Sequence, residues 1–423
     1  MATKGSQKFA ILLVKFSDTA YTEPNPVAFY DDLLIRRGTG GVNDYFLAAS
    51  LGEINLDGSQ VFGWITIDTT RDDFIAAHPG RWDKIKGAID AFSNVDTSPF
   101  TGVIAIFNVG LGDGGMQGRG VLCAPGDVNV TFLGHEIGHV LGLEHSFDQS
   151  ARQKANWSAP GEYYDPYDLM SAMSVLSDAG HRFSPRGPLI NTANLHRMGW
   201  MPADRVWNPP LKNSSDTYDI DLVALSSPNV PGFLAAELGG VIVEFRVPEG
   251  FDNGLPRPAV LIHEPADPNS TIIASDLASN NNEWQPGQTY DATLKLLGQT
   301  GGVRIKVISF DLRRKVARLS MTVMAVKPQL YNDKIERMPI PDPRLSSFVE
   351  AFISPIWQAL ASKADEIRFD EKQRQSIEIQ QNTIAQQKTA IEVQAGQIRL
   401  YRNVLVGCAI VVSAAVWFLS RHL

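Results

Sequence analysis

The segment FLGHEIGHVLGLEHS, residues 132–146, holds the side chains of this sequence best suited to chemistry. His135 and His139 are four apart, so on a helix they stand one turn apart on the same face, near enough to bind one ion. Glu136 adjoins the first of them and can reach a water on that ion. Gly142 lies three residues past the second histidine and is the residue type that lets a helix end in a left-handed turn, so that the chain swings back and presents His145. Three neutral imidazoles leave a fourth tetrahedral position open for water, which is the arrangement of a catalytic rather than a structural zinc site. A bare HExxH arises by chance in roughly one chain in a hundred of this length, and the added Gly and His lower that about a thousandfold. Chance is therefore a poor explanation of the triplet. The isolated histidines His78, His181, His196 and His263 are expected to be hydrogen-bonded core residues.

The elements that must position these groups read as α+β. Residues 9–16 form a short apolar run bounded by charges, the pattern of a buried strand, and residues 26–36 and 42–49 have helical spacing. Residues 54–69 look extended, 82–92 helical, and 103–109 form a β-rich apolar run. From about Val206 the chain changes to short apolar runs separated by Pro, Gly, Asn and Asp, which suggests a β-sandwich. The expected organisation is a catalytic domain over 8–205 with a mixed twisted sheet and an active-site helix, and a β-sandwich over 206–326. A proline-rich linker over 327–345 follows, then a helical or coiled-coil stalk over 346–403 and an apolar helix over 404–419.

The sequence HEIGHVLGLEH resembles the extended zinc motif of the metzincin metallopeptidases. That family also carries a tight turn with a methionine beneath the metal, downstream of the third histidine. Here YDLMSAM, residues 167–173, is similar, with Met170 matching the usual turn wording and Met173 in reserve; gap-filling core methionines are the alternative. The resemblance covers roughly residues 8–204. Its flanks, VNDYFLAASLGEINLDG and NLHRMGW, are similar to bacterial immune-inhibitor-type or gametolysin-type secreted peptidases. VIVEFRVPEGFDNGLPRPAVLIHE is similar to the β-domain that accompanies such catalytic domains. The resemblance implies an endopeptidase with Zn2+ on His135, His139 and His145, Glu136 as general base, and a protein or peptide substrate. Nothing covalent forms in such a scheme, so Ser146 needs no nucleophilic role. Two departures stand out: neither propeptide nor signal precedes the catalytic region, and the stalk and apolar tail are not part of the usual pattern. The competing reading is a membrane-tethered, catalytically silent metzincin-fold binding protein, favoured by loss of the base or a ligand. Neither is lost here.

Composition narrows the partners. The net charge of −8, with dispersed basic residues, gives none of the positive field that nucleic-acid binding requires. Two cysteines, Cys123 and Cys408, supply no disulfide framework. The N-terminus lacks the features of a secretory signal. Residues 404–419 are uncharged and mainly apolar between Arg402 and Arg421, about 24 Å long as a helix. They are expected to anchor the chain in a membrane as a C-terminal tail, with the catalytic and β domains facing the cytoplasm. In the stalk Ile377, Ile384, Ile391 and Ile398 recur every seven residues. Self-association through a coiled coil and a lone solvated helix are both open, because the opposing layer of Gln380, Gln387, Gln394 and Tyr401 is largely polar.

Several weaker signals have ordinary explanations. Gly110, Gly112 and Gly115 form a GxGxxG after the run at 103–109, but Gly118, Gly120 and Pro125 leave no room for the helix of a dinucleotide site, so a loop beside the cleft is expected. Cys123 is expected to be a small buried thiol rather than an inhibitory ligand. Tyr163, Tyr164 and Tyr167 either stabilise an oxyanion or a metal, or pack. The Asn-x-Ser/Thr triplets at Asn129, Asn156, Asn213 and Asn269 carry little meaning without an export signal.

Overall fold

Eight residues, FAILLVKF, set the centre of the first half of the chain: as a strand their side chains alternate between two faces, and both faces are apolar. Phe9, Ile11 and Leu13 point into one core and Ala10, Leu12, Val14 and Phe16 into another. A strand buried on both sides belongs in the middle of a largely parallel sheet with helices on each face. In chain order this half contains β1 (Gly5–Ser6), β2 (Phe9–Phe16), α1 (Val27–Leu34), α2 (Val42–Ala49), β3 (Ile54–Asn55), β4 (Gln60–Ile67), α3 (Arg71–Ala77) and α4 (Arg81–Ala91). It continues with β5 (Gly102–Phe107), β6 (Gly115–Gln117), β7 (Gly120–Cys123) and α5 (Val130–Leu141). The sheet order is β4-β2-β5-β7-β6, parallel except for the β6–β7 hairpin. Helices α1, α2 and α5 cover one face, and α3 and α4 the other.

This computed structural model describes residues 3–19, 22–112, 114–209, 215–296 and 299–328. The stalk, the apolar run at 404–419 and most of the linker lie outside the described residues. Among the described residues no helix is long and apolar enough to cross a membrane.

The second half contains β8 (Ser146–Asp148), α6 (Thr192–Arg197), β9 (Val206–Trp207), β10 (Asp216–Val223), β11 (Ala235–Leu238), β12 (Val241–Arg246) and β13 (Ala259–Ala266). It ends with β14 (Asn269–Ile272), β15 (Thr289–Leu296), β16 (Gln299–Asp311) and β17 (Val316–Pro328). These make a four-stranded antiparallel sheet, β10-β17-β16-β15, and a six-stranded sheet, β8-β14-β13-β12-β11-β9. One apolar cluster joins them, with Leu222, Val303, Ile305 and Leu319 from the first sheet meeting Val243, Phe245 and Ile262 from the second. The protein is thus α+β, with several sheets and separate helices.

The segments expected as separate domains over 8–205 and 206–326 share a sheet. Strand β8, directly after His145, pairs parallel with β14, 124 residues further on. Val223, Leu225 and Ile242 also enter the core beneath α2 and α5, and Met1–Tyr331 is one compact unit. A buried ion cluster strengthens the junction. Arg246, fully buried on β12, donates from Nη1 to Glu244 Oε1 at 3.0 Å and from Nε to Asp252 Oδ2 at 2.6 Å. The same carboxylates accept the backbone N–H groups of Thr192 (2.8 Å) and Leu189 (2.9 Å), which lead into α6.

Removing the cation leaves two carboxylates buried without their counter-charge, so Arg246→Met is expected to lower stability by about 3–5 kcal/mol. Urea unfolding of the full chain measures this; a loss below about 1 kcal/mol would mean that the cluster adds little.

Candidate metal centre

Helix α5 begins where Asn129 Oδ1 accepts the Phe132 N–H (2.9 Å), a side-chain cap on one of the orphan donors of the first turn. It ends at Gly142, whose φ of 100° lies in the left-handed region, and the Leu143 N–H closes back on the Gly138 carbonyl at 2.9 Å. The reversal sends residues 143–145 back beside the last turn. His135, His139 and His145 then converge: Nε2 of His139 is 3.0 Å from Nε2 of His135 and 3.0 Å from Nε2 of His145. All three ligand atoms lie within 4.8 Å of one another.

What these contacts mean follows from the other ring nitrogens. His135 Nδ1 is 3.1 Å from the Leu169 carbonyl, His139 Nδ1 is 2.8 Å from the Leu143 carbonyl, and His145 Nδ1 is 2.6 Å from Glu162 Oε1. Each partner is an acceptor, so each Nδ1 carries the proton and each Nε2 presents an electron pair. Electron pairs facing one another at this range have no proton to share, and a cation between them resolves the conflict. The spacing fits: four ligands on a tetrahedron with bonds of about 2.0–2.1 Å stand about 3.3 Å apart. Burial also keeps two of the rings in the ligand form. It pushes His135 well below the usual histidine range and His139 down to about 4, helped by the neighbouring imidazoles. These three histidines can hold a metal ion.

Two glycines bring the floor of the site up to the helix. A Cβ on Gly134 would stand 3.1 Å from Leu169 Cδ2, and one on Gly138 only 2.9 Å from Met170 Sδ. The turn over Leu169–Ser174 therefore beds against the face of α5 that carries Gly134 and Gly138, next to the one that carries His135 and His139. Asp168 caps this turn, accepting from Met170 N at 2.7 Å, Asn191 N at 2.9 Å and Asn194 Nδ2 at 3.1 Å. Burial and the neighbouring Asp165 carboxylate raise the Asp168 pKa. Met170 is fully buried under the helix, whereas Met173 is 50% exposed and lines the cavity.

The third histidine depends on the β-rich half. Asn269 Nδ2 donates to the His145 carbonyl at 2.9 Å, and β8 carries the chain from His145 into the six-stranded sheet. Phe147 forms a bridge with Glu162, and the Tyr163 N–H donates to Ser146 O at 3.1 Å, so the chain after residue 160 returns beside His145. Glu162 is held at both oxygens, the second by the Ala159 N–H at 2.6 Å. Tyr163 has a φ of 66°, rare for an aromatic residue, and its hydroxyl lies 3.1 Å from His145 Nε2. Burial raises its pKa, which keeps the phenol protonated.

Glu136 faces the same space: its Oε2 accepts the Met116 N–H at 2.6 Å, and Glu136, the three histidines, Tyr163, Phe132, Met116 and Arg81 line one cavity of about 810 Å3. The other expectations fall as follows. Tyr164 packs under Arg152, and Tyr167 donates to Glu283 Oε1 at 2.7 Å, away from the histidines. Cys123 is buried on β7 with its thiol pushed well up by desolvation, and does not line the cavity. The glycine-rich stretch ends in the β6–β7 hairpin rather than a helix. Of the isolated histidines only His263 is a core residue, 3.0 Å from Asp165 Oδ2; His78 and His181 are half-buried, and His196 is exposed. The expectation for those three is corrected: they sit at helix and loop ends, where an imidazole is tolerated without burial. Glu162, Asp168 and Asn269 went unread as site residues because no spacing rule links them to the histidines. Asp168 did stand in the quoted turn wording.

No protein-family model matches the chain, and no curated protein matches it.

The Glu162 carboxylate fixes the His145 ring and its tautomer, so Glu162→Gln is expected to weaken metal binding about 10–100-fold. Competition with a fluorescent zinc chelator measures it; an unchanged affinity would show that Glu162 plays no part in holding the ligand.

Proposed function

We propose that the chain is a zinc-dependent endopeptidase of the metzincin type, hydrolysing peptide bonds in proteins or peptides with Glu136 as general base. The observation that carries this reading is the convergence of three neutral Nε2 atoms on one side of α5 while the same helix turns Glu136 into the same cavity. Donor chemistry supports zinc: three imidazoles and no carboxylate suit a borderline ion, whereas magnesium and calcium take oxygen. When bound, zinc polarises the scissile carbonyl and makes an attacking water acidic near neutral pH.

The protein's own groups then have distinct tasks. Glu136 takes a proton from the attacking water and passes it to the leaving amine. The Tyr163 phenol, protonated and aimed at the histidine cluster, is placed to donate a hydrogen bond to the carbonyl oxygen as charge develops there. Met170 and the turn that Asp168 caps hold the His135 ring through the Leu169 carbonyl. The cavity lies within the usual range of roughly 300–1,000 Å3 for substrate sites. The uncharged, mainly apolar run at residues 404–419 supports attachment to a membrane.

Glu136→Gln keeps the size of the side chain and removes its basicity. It is expected to retain one zinc per chain and to lose about 10²–10⁴-fold of the turnover of a protein substrate. Turnover equal to wild type would remove Glu136 from the chemistry, and absence of turnover in zinc-loaded wild type would contradict the peptidase reading.

A further inference from the structure

Gly115 and Met116 of the cavity lining belong to β6, a three-residue strand that comes last in the order of its sheet among the described residues. Its hairpin to β7 turns on Gly118 and Arg119, with Gln117 opposite Gly120 and Met116 opposite Val121. In a two-residue hairpin the pair next to the turn exchanges the hydrogen bonds, so the polar groups of Met116 point outward. Both are taken. The Met116 N–H donates to Glu136 Oε2 at 2.6 Å, and the Met116 carbonyl accepts from Arg81 Nη1 at 3.0 Å.

We propose that Arg81 is a positioning residue for Glu136, acting through the backbone of Met116. This rests on the reading of Glu136 as the base. The stretch around the strand that orients Glu136 is poor in self-order: glycines stand at 110, 112, 114, 115, 118 and 120, and each costs more backbone entropy to fix than another residue. Helix α4 supplies the missing rigidity. Its inner face, Ile85 and Ala88, packs in the core on the sheet, and its first residues reach the hairpin at two points. The Trp82 N–H donates to Gln117 Oε1 at 3.0 Å, and Arg81 clamps the Met116 carbonyl. Gly115 is where this arrangement constrains sequence. A Cβ there would stand 3.1 Å from Arg81 Nη1 and 3.4 Å from Glu136 Oε2, so the guanidinium and the carboxylate close over a residue that has no side chain. With Arg81 in place the Met116 N–H is a fixed donor, and Glu136 is held at one oxygen in the cavity. Without it the strand keeps its pairing with β7 and the Gln117 contact but loses the hold at Met116 itself, and the Met116 N–H becomes a less fixed donor to Glu136.

The test uses the full chain with zinc bound, as wild type, Arg81→Ala and Arg81→Lys. Arg81→Ala is expected to keep one zinc per chain and to lower kcat about tenfold, since small misplacements of a catalytic group cost rate rather than binding. Arg81 also lines the cavity, so kcat is read at saturating substrate, where a change in substrate binding does not enter. Arg81→Lys, which can still donate to the carbonyl, should recover most of kcat. Amide hydrogen exchange at Met116, which needs no turnover, should quicken about tenfold in Arg81→Ala and return towards wild type in Arg81→Lys. An unchanged Met116 exchange rate, a kcat within about twofold of wild type, or a lysine variant no better than alanine would overturn the proposal. If wild type hydrolyses no peptide, the peptidase reading fails, and the exchange rates alone decide whether Arg81 holds the strand.

Discussion

Three electron pairs gathered around one point, with neighbours about 3 Å apart, are the constraint on which the rest of this structure depends. Neutral imidazoles repel one another in that arrangement, so every ring must be held from behind. The three holds come from three different stretches of chain. The Leu143 carbonyl becomes available because Gly142 ends the helix, the Leu169 carbonyl because the turn at 169–174 beds into the Gly134 and Gly138 groove, and Glu162 because its segment pairs back on Phe147. A small helix surface is what allows such close approach, and it accounts for two glycines in the interior of α5, where helix propensity disfavours them by about 1 kcal/mol each.

The supporting shell spreads far beyond α5. Asp168 caps the turn beneath the histidines and also accepts from Asn191 and Asn194. Asn191 donates in turn to Ser270 on β14, and Asn269 on the same strand holds the His145 carbonyl. Further along, the loop before α6 is fixed by carboxylates that Arg246 neutralises. The β-rich half is therefore part of the mount of the third histidine. Buried polar networks of this kind are fully engaged or costly, and here nearly every charged member meets a partner. Three buried atoms of these residues have no hydrogen-bond partner: His263 Nδ1, Asn194 Oδ1 and Thr192 Oγ1.

Much of this was legible in the sequence wherever a local period or a residue-specific backbone preference carried the information. The strand at 9–16, the helix at 42–49 and the cluster of 135, 139 and 145 follow from a short apolar run bounded by charges, helical spacing and a glycine stop, each of which acts over a few residues. What was not legible depends on contacts between distant segments. A three-residue strand, β8, has no periodicity to read, yet its pairing with β14 joins segments that composition separates near residue 205. Glu162, Asn269 and Arg81 are ordinary polar residues in sequence, and only the folded chain brings them to the site. Asn129 and Asn269 stand in triplets of the glycosylation type, but their side chains serve as a helix cap and as a donor to His145.

The central claim is that three imidazole nitrogens, positioned by their Nδ1 partners, form one metal site. X-ray absorption at the zinc edge, on the full chain loaded with one equivalent of zinc, tests this directly. The account predicts a first shell of light atoms at about 2.0–2.1 Å with the outer-shell scattering of three imidazole rings, and the loss of one ring in His145→Ala. A sulfur scatterer near about 2.3 Å, or an oxygen shell with fewer than three imidazoles, would contradict it.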